Sequence, residues 1–515
     1  MKIVLLACLL APAVCVAQQG AKPSYLQPGT PQVGGVHHMC LIYHGRQVRP
    51  KWTAEALLPY VAYVDERGEP TDWLFDSFLF IEFMTDGGAF IHTYSADRPQ
   101  MTAEDWQWLA DCWFRPDAGL IGLEQAMALA GQKLGEPERE AAVVIAMPFP
   151  PTQLTCFGPL AGEQQELNFS AENDRRRAMA WYIDRVLTKW KDAAHEHLRL
   201  AGLYWTNETI PSADSDLVRW TADHLHQRDL KLYWVPYFGG TGVAHWRELG
   251  IDAMMLQPNY FFQDKPDTYR LLSAAKKATM AHSGLEIEFD GRALTSEDFR
   301  ERFYAYLDAG VKYGWMQSAL LGYYEGGGAI GEFVRGGPSG RELYDAVCRF
   351  VKGTYTPSGL TDLSDLEFVV RDNSRNQALA AKGAKVHGGL RPEEHPELAP
   401  EKIIDGDIYL YGGLSGFGYF AIPGSFTIEL PAEAVVARTQ TMLFDTDGRV
   451  FRYRIDTSLD NVSWQPAVDK SEGDWRGWQV DRFEPRKARY VRFTGLYNSV
   501  NNLCQVIELE VYAQP

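Results

Sequence analysis

The sequence predicts an α/β protein in which a TIM-type (β/α)8 barrel is followed by an all-β sandwich. Over residues 36–355, eight short apolar runs alternate with segments of helical periodicity. Near-continuous apolar strands separated by helices are typical of a parallel sheet covered on both faces, and eight such units fit a closed barrel. Over residues 360–515, short alternating runs bounded by turns replace the helical periodicity, which indicates an antiparallel sandwich.

The alternation can be assigned segment by segment. The eight barrel strands are predicted at residues 38–43, 77–83, 142–147, 200–205, 232–237, 251–256, 284–289 and 313–317. Helices are predicted between them at residues 103–130, 172–198, 215–227, 269–281 and 296–309. An open, doubly wound sheet is the competing arrangement. Because no GxGxxG motif follows the first strand, the sequence gives little support for dinucleotide binding.

The first 17 residues have the composition of a secretory signal peptide. Lys2 precedes an apolar run over residues 3–14, and small residues end the segment before Gln18. A lipoprotein anchor is the less favoured alternative, because the Leu-Leu-Ala-Cys box at residues 5–8 lies too close to the N-terminus. We therefore expect export to the periplasm or the extracellular space. Residues 18–35 are rich in Gln, Gly and Pro and are predicted to form a mobile linker.

Charge and cysteine content narrow the class of partner. A net charge of −17 at pH 7 argues against nucleic acids and anionic membranes as partners. No other segment is long and apolar enough to span a bilayer. Neither the cysteines nor the histidines have a spacing specific for metal binding, so no metal or other cofactor is predicted. The oligomeric state stays open.

Three glutamates at predicted strand ends carry the candidate chemistry. Glu208 follows the fourth strand, and Glu286 and Glu288 lie on one face of the seventh. Strands four and seven lie across a barrel from each other, so these carboxyl groups could flank a bound sugar. Glycoside hydrolysis needs one acid that protonates the leaving oxygen and one carboxylate that attacks or activates water. The competing interpretations are a helix start at Glu208 and a buried Glu–Arg network with Arg292.

Asn207 and Glu208 on strand four, together with a Glu on strand seven, resemble the pattern of clan A glycoside hydrolases, which are retaining (β/α)8 enzymes. The resemblance implies that Glu208 is the acid/base and that Asn207 donates to the sugar 2-hydroxyl. It makes Glu288 or Glu286 the nucleophile. We favour Glu288, which lies nearer the catalytic mouth, with Glu286 as a partner that shifts its pKa. Trp315, on the last predicted strand, would match the aromatic floor of the sugar subsite.

Other polar residues at predicted strand ends are candidates for substrate binding. They are Tyr43, His44, Glu82, Tyr237, Gln257, Asn259 and Gln317. A buried carboxylate at Glu82 would need a partner, and His44 is equally compatible with a structural role. The glycine-rich segment 323–328 is predicted to be a loop after strand eight, either a lid or a plain connector.

Two longer resemblances cover most of the chain. The runs LIYHG at residues 41–45 and IEFDG at residues 287–291 resemble a secreted bacterial family known only as domain of unknown function 4855, over roughly residues 36–350. The segments 451–464, 488–492 and 507–512 resemble the discoidin-like domain of coagulation factor five/eight type C, over about 140 residues. This second resemblance implies a sandwich that often serves secreted bacterial enzymes as a carbohydrate-binding module.

These observations together predict an exported glycoside hydrolase that cleaves an oligosaccharide or polysaccharide by retention, with two Glu residues and no cofactor. A non-catalytic glycan-binding protein on a degenerate barrel is the first alternative. A polysaccharide lyase is the second, and it would need a Tyr or His base with an Arg or Lys that neutralises a uronate. The sugar, the linkage and exo or endo action stay open.

Overall fold

The computed structural model of the protein describes residues 24–135, 137, 139–365, 371–394, 398–406, 408, 416–445 and 447–513. The predicted signal peptide, residues 1–17, and the first part of the predicted linker lie outside the described residues. The described residues form two separate hydrophobic cores, one in the N-terminal domain and one in the C-terminal domain.

Eight parallel strands close into a barrel in the N-terminal domain. They are β1 (His38–Tyr43), β2 (Ser77–Ile81), β3 (Ala141–Met147), β4 (Leu198–Trp205), β5 (Lys231–Trp234), β6 (Ala253–Leu256), β7 (Gly284–Glu288) and β8 (Leu321–Tyr324). Each strand pairs with the next, and β8 closes onto β1 with His38 opposite Leu321. The closed barrel confirms the predicted fold class and excludes the open sheet.

Helices surround the barrel, as the sequence periodicity predicts. They are α1 (Ala54–Val61), α2 (Ala103–Cys112), α3 (Leu120–Leu134), α4 (Glu172–Ala193), α5 (Ser215–His226), α6 (Tyr269–Ala281), α7 (Arg292–Thr295), α8 (Glu297–Lys312), α9 (Trp315–Ser318), α10 (Ala329–Arg335) and α11 (Gly337–Val351). The predicted helix over residues 103–130 is two helices, α2 and α3. Two short hairpins lie outside the barrel sheet, Ala62–Val64 with Pro70–Trp73 and Gly158–Pro159 with Glu166–Leu167.

The eighth strand lies further along the chain than predicted. Residues 313–317 end α8 and begin α9, and the strand starts only at Leu321. Gly314, with φ 81°, takes the left-handed conformation that turns the chain between these two helices. Because α9 directly precedes β8, Trp315 and Gln317 lie at the amino-terminal end of the barrel. Their assignment to the sugar-binding face is therefore wrong.

Residues 24–35 pack against the same end of the barrel. Tyr25 and Leu26 are buried, and the Tyr25 hydroxyl donates to the carbonyl of Tyr313 at 3.0 Å. The Leu26 N–H donates to the carbonyl of Ser283 at 3.0 Å, and the Leu26 carbonyl accepts from the N–H of Leu320 at 2.8 Å. For this part of the segment the prediction of a mobile linker is wrong, because its apolar side chains belong to the barrel core.

In the C-terminal domain, the described residues form an antiparallel sandwich of seven strands. They are β9 (Lys385–Gly388), β10 (Gly418–Ala421), β11 (Gly424–Leu443), β12 (Phe451–Ser458), β13 (Gln465–Trp475), β14 (Trp478–Asn498) and β15 (Leu503–Ala513). The strand order is β10-β15-β11-β14-β12-β13, and β9 pairs with β11. Irregular register between residues 429 and 438 lets the long strands β11 and β14 bend around the core, since bulges bend and twist a strand.

Candidate active site

A cavity of about 180 Å³ opens at the carboxyl-terminal end of the barrel strands. In (β/α)8 enzymes this end carries the catalytic residues. Three of the lining residues, Tyr43, Glu288 and Tyr324, end strands β1, β7 and β8. The complete lining is Leu41, Tyr43, Ile81, Phe83, Tyr204, Glu208, Val235, Gln257, Asn259, Phe262, Glu286, Glu288 and Tyr324. The cavity therefore brings all three predicted glutamates together.

Glu286 lies two residues before the end of β7, opposite Gly322 of β8. A Cβ atom at Gly322 would lie 3.2 Å from the Sδ of Met255 and 3.7 Å from the Cγ of Glu286, so the two strands pack closely at this position. The Oε1 atom of Glu286 has no hydrogen-bond partner among the described residues. Burial raises the pKa of Glu286 well above its ordinary value, and the charges of Glu288 and Glu208 raise it further. Burial and the two neighbouring charges therefore favour the neutral form of the Glu286 carboxyl group.

Glu288 is held by three donors. The hydroxyl of Tyr306 donates to its Oε2. The N–H of Tyr260 donates to Oε2 at 3.3 Å, and the Nδ2 of Asn259 donates to Oε1 at 3.3 Å. Burial raises the pKa of Glu288 to about 7, and these hydrogen bonds act against that rise because they stabilise the carboxylate. Glu288 is therefore the glutamate of β7 whose ionised form receives hydrogen bonds, although burial keeps its pKa above the ordinary value.

The side chain of Asn259, which donates to Glu288, is also held by two other groups. Its Nδ2 donates to the Oε1 of Gln257 at 2.9 Å, and its Oδ1 accepts from the N–H of Phe238 at 2.6 Å. The Nε2 of Gln257 in turn donates to the carbonyl of Val235 at 2.9 Å. Asn259 has φ 50°, a left-handed conformation that asparagine tolerates better than most residues. These bonds hold the two amides in place beside the carboxyl groups.

Glu208 follows β4 by three residues and is half-buried. Burial raises the pKa of its carboxyl group, and a hydrogen bond with Gln257 acts against that rise. Its negative charge raises the pKa values of Tyr204 and Tyr237. Because its charge also acts on Glu286, the carboxyl groups from strands four and seven face the same space.

Two of the predicted binding residues face away from the cavity. His44 is buried between Phe80 and Trp113, and its Nε2 lies 3.0 Å from the carbonyl oxygen of Cys112. Burial lowers its pKa to about 4, so the ring is neutral. Glu82 forms a two-point ion pair with Arg49, at 2.8 and 2.7 Å. Both residues have structural roles in this geometry.

The remaining candidates divide between the cavity and its rim. Tyr43, Gln257 and Asn259 line the cavity, as predicted for strand ends. Asn207 lies beside Glu208 but outside the lining, and its carbonyl accepts from the Nε1 of Trp234 at 2.9 Å. Tyr237 is also outside the lining, although the charge of Glu208 raises the pKa of its phenol.

Sequence reasoning missed three tyrosines at this site: Tyr204 and Tyr324, which line the cavity, and Tyr306, which donates to Glu288. Tyr204 lies four residues before Glu208, and strand alternation could have placed its side chain inside the barrel. Tyr306 lies on α8, and its side chain reaches Glu288 from the helix layer. A tyrosine on an amphipathic helix is indistinguishable from a core residue in the sequence, so no signal identifies it.

Within the described residues, no group of three or more His, Cys, Asp and Glu side chains could hold a metal ion. Within the same residues, no helix is long and apolar enough to cross a membrane.

The comparisons with known proteins agree with this architecture. A family model described as domain of unknown function (DUF4855) matches residues 38–349, which contain the whole barrel. The chain belongs to the DUF4855 family. A second model, the F5/8 type C domain, matches residues 393–509 of the sandwich. Both matches confirm the resemblances in the sequence, and the barrel of this DUF4855 protein is thereby paired with a discoidin-like domain.

Curated relatives match this DUF4855 protein over a limited length. BTB/POZ domain-containing protein 9 of Drosophila melanogaster is 28% identical over 169 residues, which are 30% of this chain and 23% of the relative. Its Homo sapiens counterpart is 30% identical over 175 residues, 31% of this chain and 27% of the relative. The chain thus spans roughly a quarter of the length of these relatives.

Solved structures similar to part of the chain include two carbohydrate-binding modules. The CBM32 of AlyQ in complex with 4,5-unsaturated mannuronic acid has 20% identity and a TM-score of 0.21, and the match covers 25% of this chain and 93% of that one. CBM32-1 from a family 31 glycoside hydrolase of Clostridium perfringens has 24% identity and a TM-score of 0.23, with 27% and 99% covered.

Proposed function

We propose that this DUF4855 protein is a glycoside hydrolase that cleaves a glycan by a retaining mechanism with two glutamates. The observation that carries the proposal is the meeting of Glu208 with Glu286 and Glu288 around one cavity at the carboxyl-terminal end of the barrel. Two carboxyl groups with different proton affinities are what glycosidic bond cleavage requires.

The roles follow from the surroundings of each carboxyl group. Glu288 receives three hydrogen bonds that favour its ionised form, so we assign it as the nucleophile. Glu208 has a pKa raised by burial and lies at the rim, so we assign it as the acid/base. We assign Glu286 as a neighbour of the nucleophile, because burial and the charges of Glu288 and Glu208 raise its pKa and favour its neutral form.

The proposed reaction has two steps. In the first, Glu208 gives its proton to the glycosidic oxygen while a carboxylate oxygen of Glu288 attacks the anomeric carbon, so the leaving alcohol departs and a glycosyl ester forms. In the second, Glu208 takes a proton from water, and the resulting oxygen attacks the anomeric carbon and releases Glu288. Tyr43 and Tyr324 offer apolar ring surface and hydroxyl groups to the sugar.

We propose further that the chain is exported and that its sandwich binds glycan. The signal-like composition of residues 1–17 supports export, and the F5/8 type C match supports glycan binding by the sandwich. The first alternative, a purely glycan-binding protein, keeps the same sandwich but makes the barrel inert. The lyase alternative is disfavoured, because the described residues that line the cavity include no Lys or Arg to neutralise a uronate.

The test is release of reducing sugar from a broad panel of plant and host glycans. Wild type is compared with Glu208→Gln, Glu286→Gln and Glu288→Gln. Glu66→Gln, at an exposed glutamate that does not line the cavity, serves as the matched control. We expect cleavage by wild type and the control, and its loss in Glu208→Gln and Glu288→Gln. Full activity of Glu208→Gln would refute the mechanism. Binding without cleavage of any glycan by wild type would favour the inert barrel.

A further inference from the structure

A second cavity, of about 420 Å³, lies where the barrel meets the sandwich. The barrel contributes the segments after β5 and β6 and the start of α6, and the sandwich contributes residues between β11 and β12 and the turn before β14. The lining residues are Phe238, Gln263, Lys265, Asp267, Tyr269, Arg270, Ser273, Asp445, Asp447, Gly448 and Arg476. Its volume falls within the range of about 300–1,000 Å³ that is usual for ligand sites, whereas the barrel cavity is smaller than that range.

The walls of this interdomain cavity are fixed by specific bonds between the domains. The Oγ of Ser273 donates to the Oδ2 of Asp445 at 3.0 Å, and the Nζ of Lys276 donates to the carbonyl of Trp478 at 3.0 Å. The hydroxyl of Tyr269 donates to the carbonyl of Arg476. Met280 of α6 packs against the core of the sandwich. The cavity is therefore a formed feature of the two-domain structure.

The lining of the interdomain cavity contains both hydrogen-bond acceptors, which are carboxylates held by neighbouring groups, and hydrogen-bond donors. Asp267 is paired with Arg476, and Asp447 accepts from the Nε of Arg449 at 2.8 Å. With Asp445 bonded to Ser273, each of the three carboxylates is oriented by a neighbour and keeps further lone pairs for a ligand. The rings of Phe238 and Tyr269 are covered by guanidinium groups, at 3.9 and 4.0 Å from the ring centres. Such a surface suits a ligand with many hydroxyl groups, each of which both donates and accepts.

A single layer of side chains separates the interdomain cavity from the barrel cavity. Phe238 lines the first cavity, Asn259 lines the second, and the N–H of Phe238 donates to the Oδ1 of Asn259 at 2.6 Å. Arg270 belongs to the first cavity. Burial lowers its pKa, and the charges of Asp445 and Glu288 are among those that oppose this change, so Glu288 lies within electrostatic reach of the interdomain cavity.

We propose that the interdomain cavity is a saccharide subsite, built jointly by the barrel and the sandwich, that binds further sugar units of the glycan held in the barrel cavity. The proposal rests on the proposed function and deepens it, because it makes the ligand an oligosaccharide of several units or a polysaccharide. A disaccharide occupies the barrel cavity alone, whereas a longer chain continues over the shared wall.

The experiment measures binding separately from cleavage. The full chain carrying Glu208→Gln is titrated calorimetrically with the disaccharides and hexasaccharides of cellulose, xylan, mannan, chitin and pectin. The same measurement is made with Gln263→Ala and Lys265→Ala added, two lining residues at or near the protein surface. Gln164→Ala with Lys191→Ala, an exposed pair of the same residue types outside both cavities, is the matched control.

We expect the bound hexasaccharide to lose about tenfold in affinity when Gln263 and Lys265 are replaced, the size of a lost hydrogen bond or two. The affinity for the disaccharide and the affinities of the control stay unchanged. Equal hexasaccharide affinity in both variants, an equal loss for the disaccharide, or no hexasaccharide binding at all overturns the subsite. Turnover is measured on wild type, so a chain that binds hexasaccharide without cleaving it refutes the hydrolase and leaves the subsite standing.

Discussion

The hydroxyl of Tyr306, on helix α8, donates a hydrogen bond to the Oε2 of Glu288, on strand β7. The two side chains are 18 residues apart and come from different layers of the barrel. Tyr306 is not among the residues that line the cavity, so the tyrosine acts on the proposed nucleophile from the helix layer. It stabilises the negative charge that the proposed reaction needs.

Replacing Tyr306 by Phe tests this relationship. The variant loses one donor to a buried carboxylate, and a hydrogen bond to a charged group exceeds one to a neutral group by about 1–1.5 kcal/mol. We expect the pKa of Glu288 to rise by about one unit, so the acidic limb of the kcat/KM profile moves to higher pH. Tyr304→Phe, on the same helix, is the control and leaves the profile in place. An unchanged limb in Tyr306→Phe would contradict the role.

The proposed mechanism sets the pH dependence of the wild type. Glu288 must be ionised, and burial raises its pKa to about 7, so kcat/KM falls as the pH drops through that value. Glu208 must be protonated, and burial raises its pKa above the ordinary value, so kcat/KM also falls as the pH rises through that raised pKa. Rates measured from about pH 4 to about pH 9 check this, and a maximum in strongly acidic solution would be inconsistent with Glu288 as nucleophile.

Glu288 also makes the stability of the barrel depend on pH. Its folded pKa of about 7 lies above the ordinary value of 4.5, so the folded state holds a proton that the unfolded state has lost between these values. Stability is therefore highest in acid and declines as the pH rises through about 7, by about 3 kcal/mol for this group. Glu288→Gln removes the group, and we expect its free energy of unfolding to depend less on pH than that of wild type. Urea unfolding at several pH values decides this, with Glu66→Gln as control; parallel curves for all three proteins would rule the effect out.

The ion pair between Arg49 and Glu82 leads to a prediction about the free energy of unfolding. The Glu82 side chain has no exposed surface, and that of Arg49 is 24% exposed. Arg49→Leu leaves a buried carboxylate unpaired, and we expect a loss of about 3 kcal/mol in the free energy of unfolding. In Arg49→Leu with Glu82→Leu, where neither charge is buried, most of the loss is recovered. Urea unfolding monitored by tryptophan fluorescence measures both, and a double variant no more stable than Arg49→Leu would contradict the pairing.

The strongest sequence predictions concern features with a local cause. Alternation along a strand places Glu286 and Glu288 on one face, and the barrel keeps them so. The amphipathic pattern over residues 269–281 predicts α6 with the bounds that the structure has. The sandwich follows from repeated two-residue alternation, and the matched F5/8 type C domain confirms it. In each case the hydrophobic pattern along a single strand or helix predicts which of its faces is buried.

Strand β8 shows where this reasoning fails. Its four residues, Leu321–Tyr324, include a glycine and two tyrosines and lie beside a glycine-rich segment, so locally they resemble a loop. The more apolar run before them is helical instead, which moves Trp315 and Gln317 to the other end of the barrel. Residues 321–324 form a strand because β1 and β7 pair with them on either side. The backbone hydrogen bonds to these two strands compensate for the weak β propensity of the segment.

The sequence by itself determined the two-domain architecture and the presence of glutamates at the ends of strands four and seven. The tertiary structure decided that Glu82 is bound by Arg49, that Glu288 is bound by Tyr306, and that the two domains enclose a cavity between them. The physical reason is the range of the interactions. Burial patterns repeat every two or nearly four residues, whereas an ion pair or a hydrogen bond depends on side chains that only the closed barrel and the docked sandwich bring within about 3 Å.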